Sequence, residues 1–213
     1  MKNFLIIPMG GIGKRFVDAG YKTYKPFLPI DSNSKIIDKI TDNFDKKNTE
    51  IIFIGNKKKI CRNNSKKLIK NFHFIEIDNH TKGPLFSIFL ASDKLKKIVQ
   101  NNSLFICYSD INWKWDYKKV LNFVKKKRMV VFTHTGFHPH LEVDKKSDFC
   151  AQNKNKNIIA VSEKKTNTKN YSNEMLAIGC YYFNNLNIVE KFKKKIDFYS
   201  NKKKEYYLIS LIN

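Results

Sequence analysis

The stretch Ile6-Ile7-Pro8-Met9-Gly10-Gly11-Ile12-Gly13-Lys14-Arg15-Phe16, followed by Lys25-Pro26-Phe27-Leu28-Pro29-Ile30, limits the fold of this chain more than any other. The apolar residues Phe4–Pro8 read as a buried strand that ends in a glycine-rich turn. Lacking Cβ atoms, such glycines let backbone N–H groups approach an anion closely. Arg15 follows the turn, and Lys25-Pro26 stands ten residues later. These two cations supply the charge that a chain of phosphates needs. A strand feeding such a turn places it at the carboxyl end of a parallel sheet, where open α/β folds bind ligands.

Two familiar glycine motifs are excluded. A P-loop needs Ser or Thr where Arg15 stands. A dinucleotide fingerprint needs a third glycine where Phe16 stands, and it opens a helix directly. Here the spacing predicts a loop that runs on through Asp18, Gly20, Tyr21 and Tyr24 to Lys25.

Downstream, apolar runs alternate with helical periodicity. Strands are predicted at Glu50–Gly55, Phe72–Ile77, Leu104–Tyr108 and Met129–Thr133. Helices are predicted over Ile36–Phe44, Lys57–Asn71, Gly83–Lys96 and Tyr117–Lys127. This rhythm predicts an α/β fold, a mostly parallel sheet with helices on both faces. After His134 the order changes. Phe149–Gln152, Ile158–Glu163 and Leu176–Phe183 read as strands, Ile188–Phe198 as a helix, and Glu205–Ile212 as one or two helical turns. The expected organisation is one domain over residues 1–213.

Composition narrows the partners. A hydrophobic content of 42% excludes a disordered chain, and no apolar run is long enough to cross a bilayer. Cys61, Cys107, Cys150 and Cys180 show no Cys-x-x-Cys spacing and read as reduced thiols of a cytoplasmic protein. A net charge of +22 would suit a nucleic-acid binder. It is carried almost wholly by lysine, however, since Arg15, Arg62 and Arg128 are the only arginines. Lysine runs at 57–59, 125–127, 193–195 and 202–204 suit solvated helix ends. Solvated faces are therefore favoured over a nucleic-acid footprint, and no membrane partner is expected. The excess charge still attracts phosphorylated substrates at low salt. Self-association into a homo-oligomer is left open.

Several residues carry chemistry or a plainer role. Asp110 closes the fourth predicted strand, where it either binds a divalent cation or caps a turn. Asp116 reads as a helix N-cap, and Trp113 or Trp115 as pocket wall or core. Gly83 precedes a helix whose first N–H groups can read a base edge or hold phosphate, or it is a simple turn. His134, His138, His140 and Glu142 offer enough ligands for zinc, but the spacing is not a standard zinc pattern. Contact with a substrate, or loop structure around Pro139, is the preferred reading.

The spaced set Gly-x-Gly-x-Arg-Phe, Gly-Tyr and Lys-Pro-(apolar)-(apolar)-Pro resembles the signature loop of the sugar-phosphate nucleotidyltransferases, of the type serving bacterial surface polysaccharide such as capsule or lipopolysaccharide. Those enzymes join a nucleoside triphosphate (NTP) to a phosphorylated acceptor and release pyrophosphate. The usual loop has proline where Tyr24 stands. The resemblance implies a Rossmann-like, doubly wound sheet with an acceptor-binding β insertion, a nucleotide-binding half at 1–133 and an acceptor-binding half at 134–213. It implies that Met9, Gly10, Gly11 and Gly13 cradle the NTP and that Gly83 lies against its base. Arg15 and Lys25 would hold the triphosphate charge, and Asp110 would bind Mg²⁺.

The same resemblance extends to the second half. Glu163-Lys164 resembles an acceptor-binding Glu-Lys-Pro element, with Lys165 in place of the proline. Gly179 would let the acceptor lie close to a strand, and His138 and His140 would touch it. The family's second metal ligand near the C-terminus is not evident; Glu205 or Asn213 would have to serve. CTP or UTP is the expected nucleotide and a sugar phosphate the expected acceptor. Two alternatives stand beside this. One is a metal-dependent nucleotide-sugar glycosyltransferase, whose Asp-x-Asp is only approximated by Asp110-Ile111-Asn112. The other is a catalytically inactive basic binding protein on the same fold.

Overall fold

The computed structural model describes residues 2–58, 72–136, 149–152, 155, 157–163, 174–193, 196 and 205–212. Among them, eight strands form one sheet. β1 (Asn3–Met9), β2 (Thr49–Gly55), β3 (His73–Glu76) and β4 (Ser103–Cys107) are parallel, in the order β3-β2-β1-β4. The remaining strands are β5 (Met129–His134), β6 (Phe149–Gln152), β7 (Ile158–Ser162) and β8 (Met175–Phe183). β8 pairs antiparallel with β4, β5 and β6, and β7 pairs antiparallel with β6. β5 and β6 therefore run in the same sense as β4, so the sheet is mixed but mostly points one way.

Both faces of the central strands are apolar, and each face has its own core. In β1, Phe4 and Ile6 enter one cluster, while Leu5, Ile7 and Met9 enter the other. β2 repeats the division with Ile52 and Ile54 against Ile51 and Phe53, and β4 with Leu104 and Ile106 against Phe105 and Cys107. Such strands read as continuous apolar runs because helices cover both sides. α1 (Lys14–Asp18) buries no residue. On one face of the sheet lies α3 (Pro84–Val99), through Leu85, Ile88, Leu95 and Val99. On the other lie α2 (Ile36–Thr41) and α4 (Tyr117–Val124), through Ile37, Ile40 and Val124. α5 (Asn187–Lys193) adds Val189 to the α3 side.

Three expectations are corrected. The glycine turn does open a helix, but α1 is a five-residue turn with no core contact, unlike the packed helix of a dinucleotide site. Its N-cap, Gly13, adopts the left-handed conformation at φ 67°. α4 stops at Val124, its one buried residue, and Lys125–Lys127 leave the helix. Glu205–Ile212 is helical only as a 3₁₀ turn at Leu208–Leu211, because the backbone of Tyr206 is used elsewhere, as described below. Asp116 caps α4 as expected, accepting from the Lys119 N–H at 3.1 Å. Trp113 and Trp115 pack with Phe44 in the core, and neither lines the cleft described next.

Candidate active site

β1 and β4 are parallel neighbours, so their carboxyl ends lie side by side. A cleft of about 200 Å³ opens there. Met9, Gly11 and Gly13 reach it from the turn after β1, and Tyr108, Ser109 and Asp110 from the end of β4. Tyr24 and Lys25 enter from the loop after α1, Gly83 and Ser87 from the start of α3, and Tyr207 from the C-terminal segment.

Charge is concentrated at one place. The Lys25 ammonium donates to the Asp110 carboxylate across the cleft and stands 5.0 Å from the centre of the Phe16 ring. Both side chains remain partly solvated, at 27% and 37% exposure. An ion pair that open contributes little to stability. Its importance is that a cation and a carboxylate meet beside a turn of small residues. Tyr24 donates from its hydroxyl to the Gly11 carbonyl at 3.1 Å, and burial raises its phenol well above the ordinary value. It stays protonated and ties the loop carrying Lys25 to the glycine turn.

The opposite wall is assembled from distant segments. Tyr206 donates its N–H to the Lys82 carbonyl at 2.9 Å and accepts from the Leu85 N–H at 3.1 Å. The C-terminal segment is thereby laid against the first turn of α3. Gly83 makes this approach feasible: its φ is +79°, and a Cβ there would sit 2.6 Å from the Tyr206 carbonyl oxygen. The Tyr108 hydroxyl accepts from the Leu208 N–H at 3.0 Å, which fixes the same segment to the end of β4. Gly179 has φ +74°, and a Cβ there would meet the Tyr108 ring at 2.6 Å. That glycine makes room for Tyr108, and Gly179 itself does not line the cleft.

His80 and Ser87 form a polar pair behind the cleft wall. Nδ1 of His80 accepts from the Lys82 N–H at 3.2 Å, and Nε2 lies 2.9 Å from the Ser87 hydroxyl. Burial, and then the charge of Lys82, hold the imidazole well below its ordinary 6.5, at about 4. An unfolded chain therefore binds a proton that the native state refuses between these values. His80's contribution to stability is complete above pH 6.5 and is lost as the pH falls toward 4. Urea midpoints measured from pH 7 to 4.5 should fall more steeply for the wild type than for His80→Gln.

The structure gathers part of the expected site. Met9, Gly11, Gly13, Lys25, Gly83 and Asp110 line one cleft. Arg15 stands on the exposed face of α1 and does not line it. Gly10 is buried behind the turn, where a Cβ would lie 2.7 Å from His80 Nε2 and Ser87 Oγ; packing explains it. Glu163 accepts from the Ser210 hydroxyl at 3.1 Å and does not line the cleft. Glu205 accepts from the Tyr207 hydroxyl. His134 ends β5, opposite Leu176. Lys164, His138, His140 and Asn213 lie outside the described residues. Sequence reasoning missed Tyr24, Ser87, Tyr108 and Tyr207. Tyr24 carried one signal, the departure from proline; the others depend on contacts between distant segments.

Comparison with known proteins bears on the fold and the family. No curated protein sequence matches the chain. Among solved structures, a nucleoside-diphosphate-sugar pyrophosphorylase from Vibrio cholerae RC9 superposes with a TM-score of 0.72 at 18% identity, covering 98% of this chain and 86% of that one. The inositol-1-phosphate CTP transferase from T. maritima gives 0.68 at 14% identity, over 100% of this chain and 80% of its own. HddC from Yersinia pseudotuberculosis gives 0.63 at 17% identity, over 98% and 84%. At these identities the likeness is one of fold. The family model described as Nucleotidyl transferase matches residues 5–210, nearly the whole length, and the chain belongs to that family of nucleotidyltransferases.

Proposed function

We propose that this nucleotidyltransferase transfers a pyrimidine nucleotide, from CTP or UTP, to a phosphorylated acceptor, a sugar phosphate destined for surface polysaccharide. The observation that carries the reading is the Lys25–Asp110 pair beside the Gly11–Gly13 turn, at the joint carboxyl end of β1 and β4. The triphosphate lies along the turn, with Lys25 on its charge. An acceptor phosphate oxygen attacks the α-phosphorus, the bond to the bridging oxygen breaks, and pyrophosphate leaves with that electron pair. The acceptor phosphate is already anionic near pH 7, so the protein needs no nucleophile or base of its own. Its residues position the groups and neutralise charge.

Mg²⁺ fits this donor set in a limited way. Among the described residues, no three His, Cys, Asp or Glu side chains are grouped to hold a metal. Mg²⁺ commonly takes one or two carboxylates and completes its shell with phosphate oxygens and water. Asp110 meets that requirement. When bound, the ion would neutralise and align the phosphate oxygens. Residues 1–133 would then serve the nucleotide and residues 134–213 the acceptor, with Lys164, His138 and His140 as acceptor contacts. The cytoplasm suits the reduced Cys107, Cys150 and Cys180. No helix among the described residues is long and apolar enough to cross a membrane.

Pyrophosphate release tests the proposal, with CTP, UTP, dTTP, GTP and ATP screened against a panel of phosphorylated sugars and small molecules. Release with one pyrimidine nucleotide and one acceptor is the expected result. The family resemblance gives Arg15 to the triphosphate although it does not line the cleft, and on that reading Arg15→Ala is expected to lower turnover by about a hundredfold or more without loss of folding, since Arg15 sits on a helix with no core contact. Near-normal turnover in that variant would remove Arg15 from the mechanism and leave Lys25 as the cation.

A further inference from the structure

We infer that Tyr24 is a positioning residue for the polyphosphate: its hydroxyl pins the glycine turn to the loop that carries Lys25, a role resting on the nucleotide-binding reading above. The two arms of the phosphate site come from segments separated by α1. One arm is the turn, held from behind where the His80 N–H donates to the Gly10 carbonyl at 3.1 Å and Gly11 bridges His80. The other arm is held by Pro26 and Phe27, both buried. It begins at Tyr24, whose carbonyl accepts from the Phe27 N–H at 2.8 Å. Between the arms, α1 buries no residue, and Val17 and Tyr21 are exposed. The intervening segment therefore lends the arms no core to hold their spacing. The Tyr24 hydroxyl, donating to the Gly11 carbonyl at 3.1 Å, spans from one arm to the other.

The backbone shows why this bond carries weight. Tyr24 has φ −64° and ψ 132°, the conformation that a proline would favour through its ring. Tyrosine imposes no such limit, so its side chain has to supply the constraint. The ring does part of this by packing against Phe27, with centroids 6.1 Å apart, and against the core beneath. The hydroxyl does the rest, because it reaches the turn itself. Gly11 is exposed, and a Cβ there would meet nothing within 4 Å, so side-chain packing does not fix that peptide. Gly13 and Lys25 stand close together beyond this bond: a Cβ on Gly13 would lie 4.0 Å from the Lys25 Cβ. Tyr24, Gly11, Gly13 and Lys25 line the same cleft. A phosphate chain that touches the turn and Lys25 together binds best when their separation is set beforehand, since ordering them on binding would subtract from affinity.

Titration calorimetry of the whole chain tests the role. The probes are inorganic tripolyphosphate, CTP, UTP, dTTP, GTP and ATP, with Mg²⁺ present. Tyr24→Phe keeps the ring and loses the hydroxyl. It is expected to bind tripolyphosphate and the preferred nucleotide about 3- to 10-fold more weakly, by the same factor for both. Lys25→Gln should also weaken both. In the double variant Tyr24→Phe/Lys25→Gln, loss of the hydroxyl should cost less than it does with Lys25 in place, because Tyr24 acts through that cation. Para-aminophenylalanine in place of Tyr24 puts a donor back on the same ring and should recover most of the affinity. Amide hydrogen exchange in Tyr24→Phe should be faster over residues 11–25 and unchanged in β1 and β4.

Unchanged tripolyphosphate affinity in Tyr24→Phe overturns the inference and leaves the nucleotide reading in place. Losses that simply add in the double variant overturn the action through Lys25 and make the hydroxyl a structural group. A wild type that binds neither tripolyphosphate nor any nucleotide overturns the inference and the nucleotide reading together. Equal losses on both probes, relieved by the aromatic amine and smaller without Lys25, support it.

Discussion

Asp110→Asn is expected to cut pyrophosphate release by about a hundred- to a thousandfold while changing stability by less than about 1 kcal/mol. The two effects separate because of where the carboxylate sits. Its partner Lys25 and Asp110 itself are both partly in water, so the folded state gains little from their attraction. In the proposed reaction the transition state would gain much more, because charge moves onto pyrophosphate beside the pair. Asparagine keeps the size of the side chain and loses its charge, which removes the counter-ion of Lys25 and, in the proposed reaction, the carboxylate that would hold Mg²⁺. Release kinetics with saturating substrates, together with a thermal melt, check the expectation. A variant that is fast would remove Asp110 from the site. A variant that is slow but also melts early would show that the pair is structural.

Gly83→Ala is expected to show the reverse pattern, with a large loss of stability. The residue has φ +79°, and its missing Cβ would fall 2.6 Å from the carbonyl oxygen and 2.8 Å from the nitrogen of Tyr206. These are backbone atoms engaged with Lys82 and Leu85, so they cannot swing aside as a side-chain tip can. Backbone strain and overpacking together are expected to cost about 3 kcal/mol. For a chain of this size that lowers Tm by about 6–12 °C. Gly11→Ala is the control, since a Cβ there meets nothing within 4 Å and its melting temperature should stay near the wild-type value. Equal melting temperatures for the two variants would contradict the packing described at Tyr206.

Much of this arrangement was legible in the sequence because it is written locally. The runs in β1, β2 and β4 are apolar at every position, as double-sided burial requires, and Asp110 and Lys25 stand at fixed offsets from strand ends and turns. The rest is not local. The need for glycine at 179 comes from Tyr108, which follows β4 and packs against it across the sheet. Residues Glu205–Ile212 have helical composition, but Tyr206 spends its backbone groups on α3, and only Leu208–Leu211 coils. The contacts of His80 with the Lys82 N–H and the Ser87 hydroxyl also depend on the fold that brings Ser87 beside it.

The attachment of residues 206–208 to α3 and β4 also bears on the order in which the protein acquires its site. A ribosome delivers the chain from the N-terminus. The glycine turn, Lys25 and Asp110 emerge well before Tyr206, and β1 to β4 can assemble without it. Until residues 205–212 leave the exit tunnel, however, the Leu85 N–H has no carbonyl and the cleft lacks Tyr207. A closed cleft is therefore a late acquisition of the nascent chain, and residues 206–208 act as the clasp that closes it.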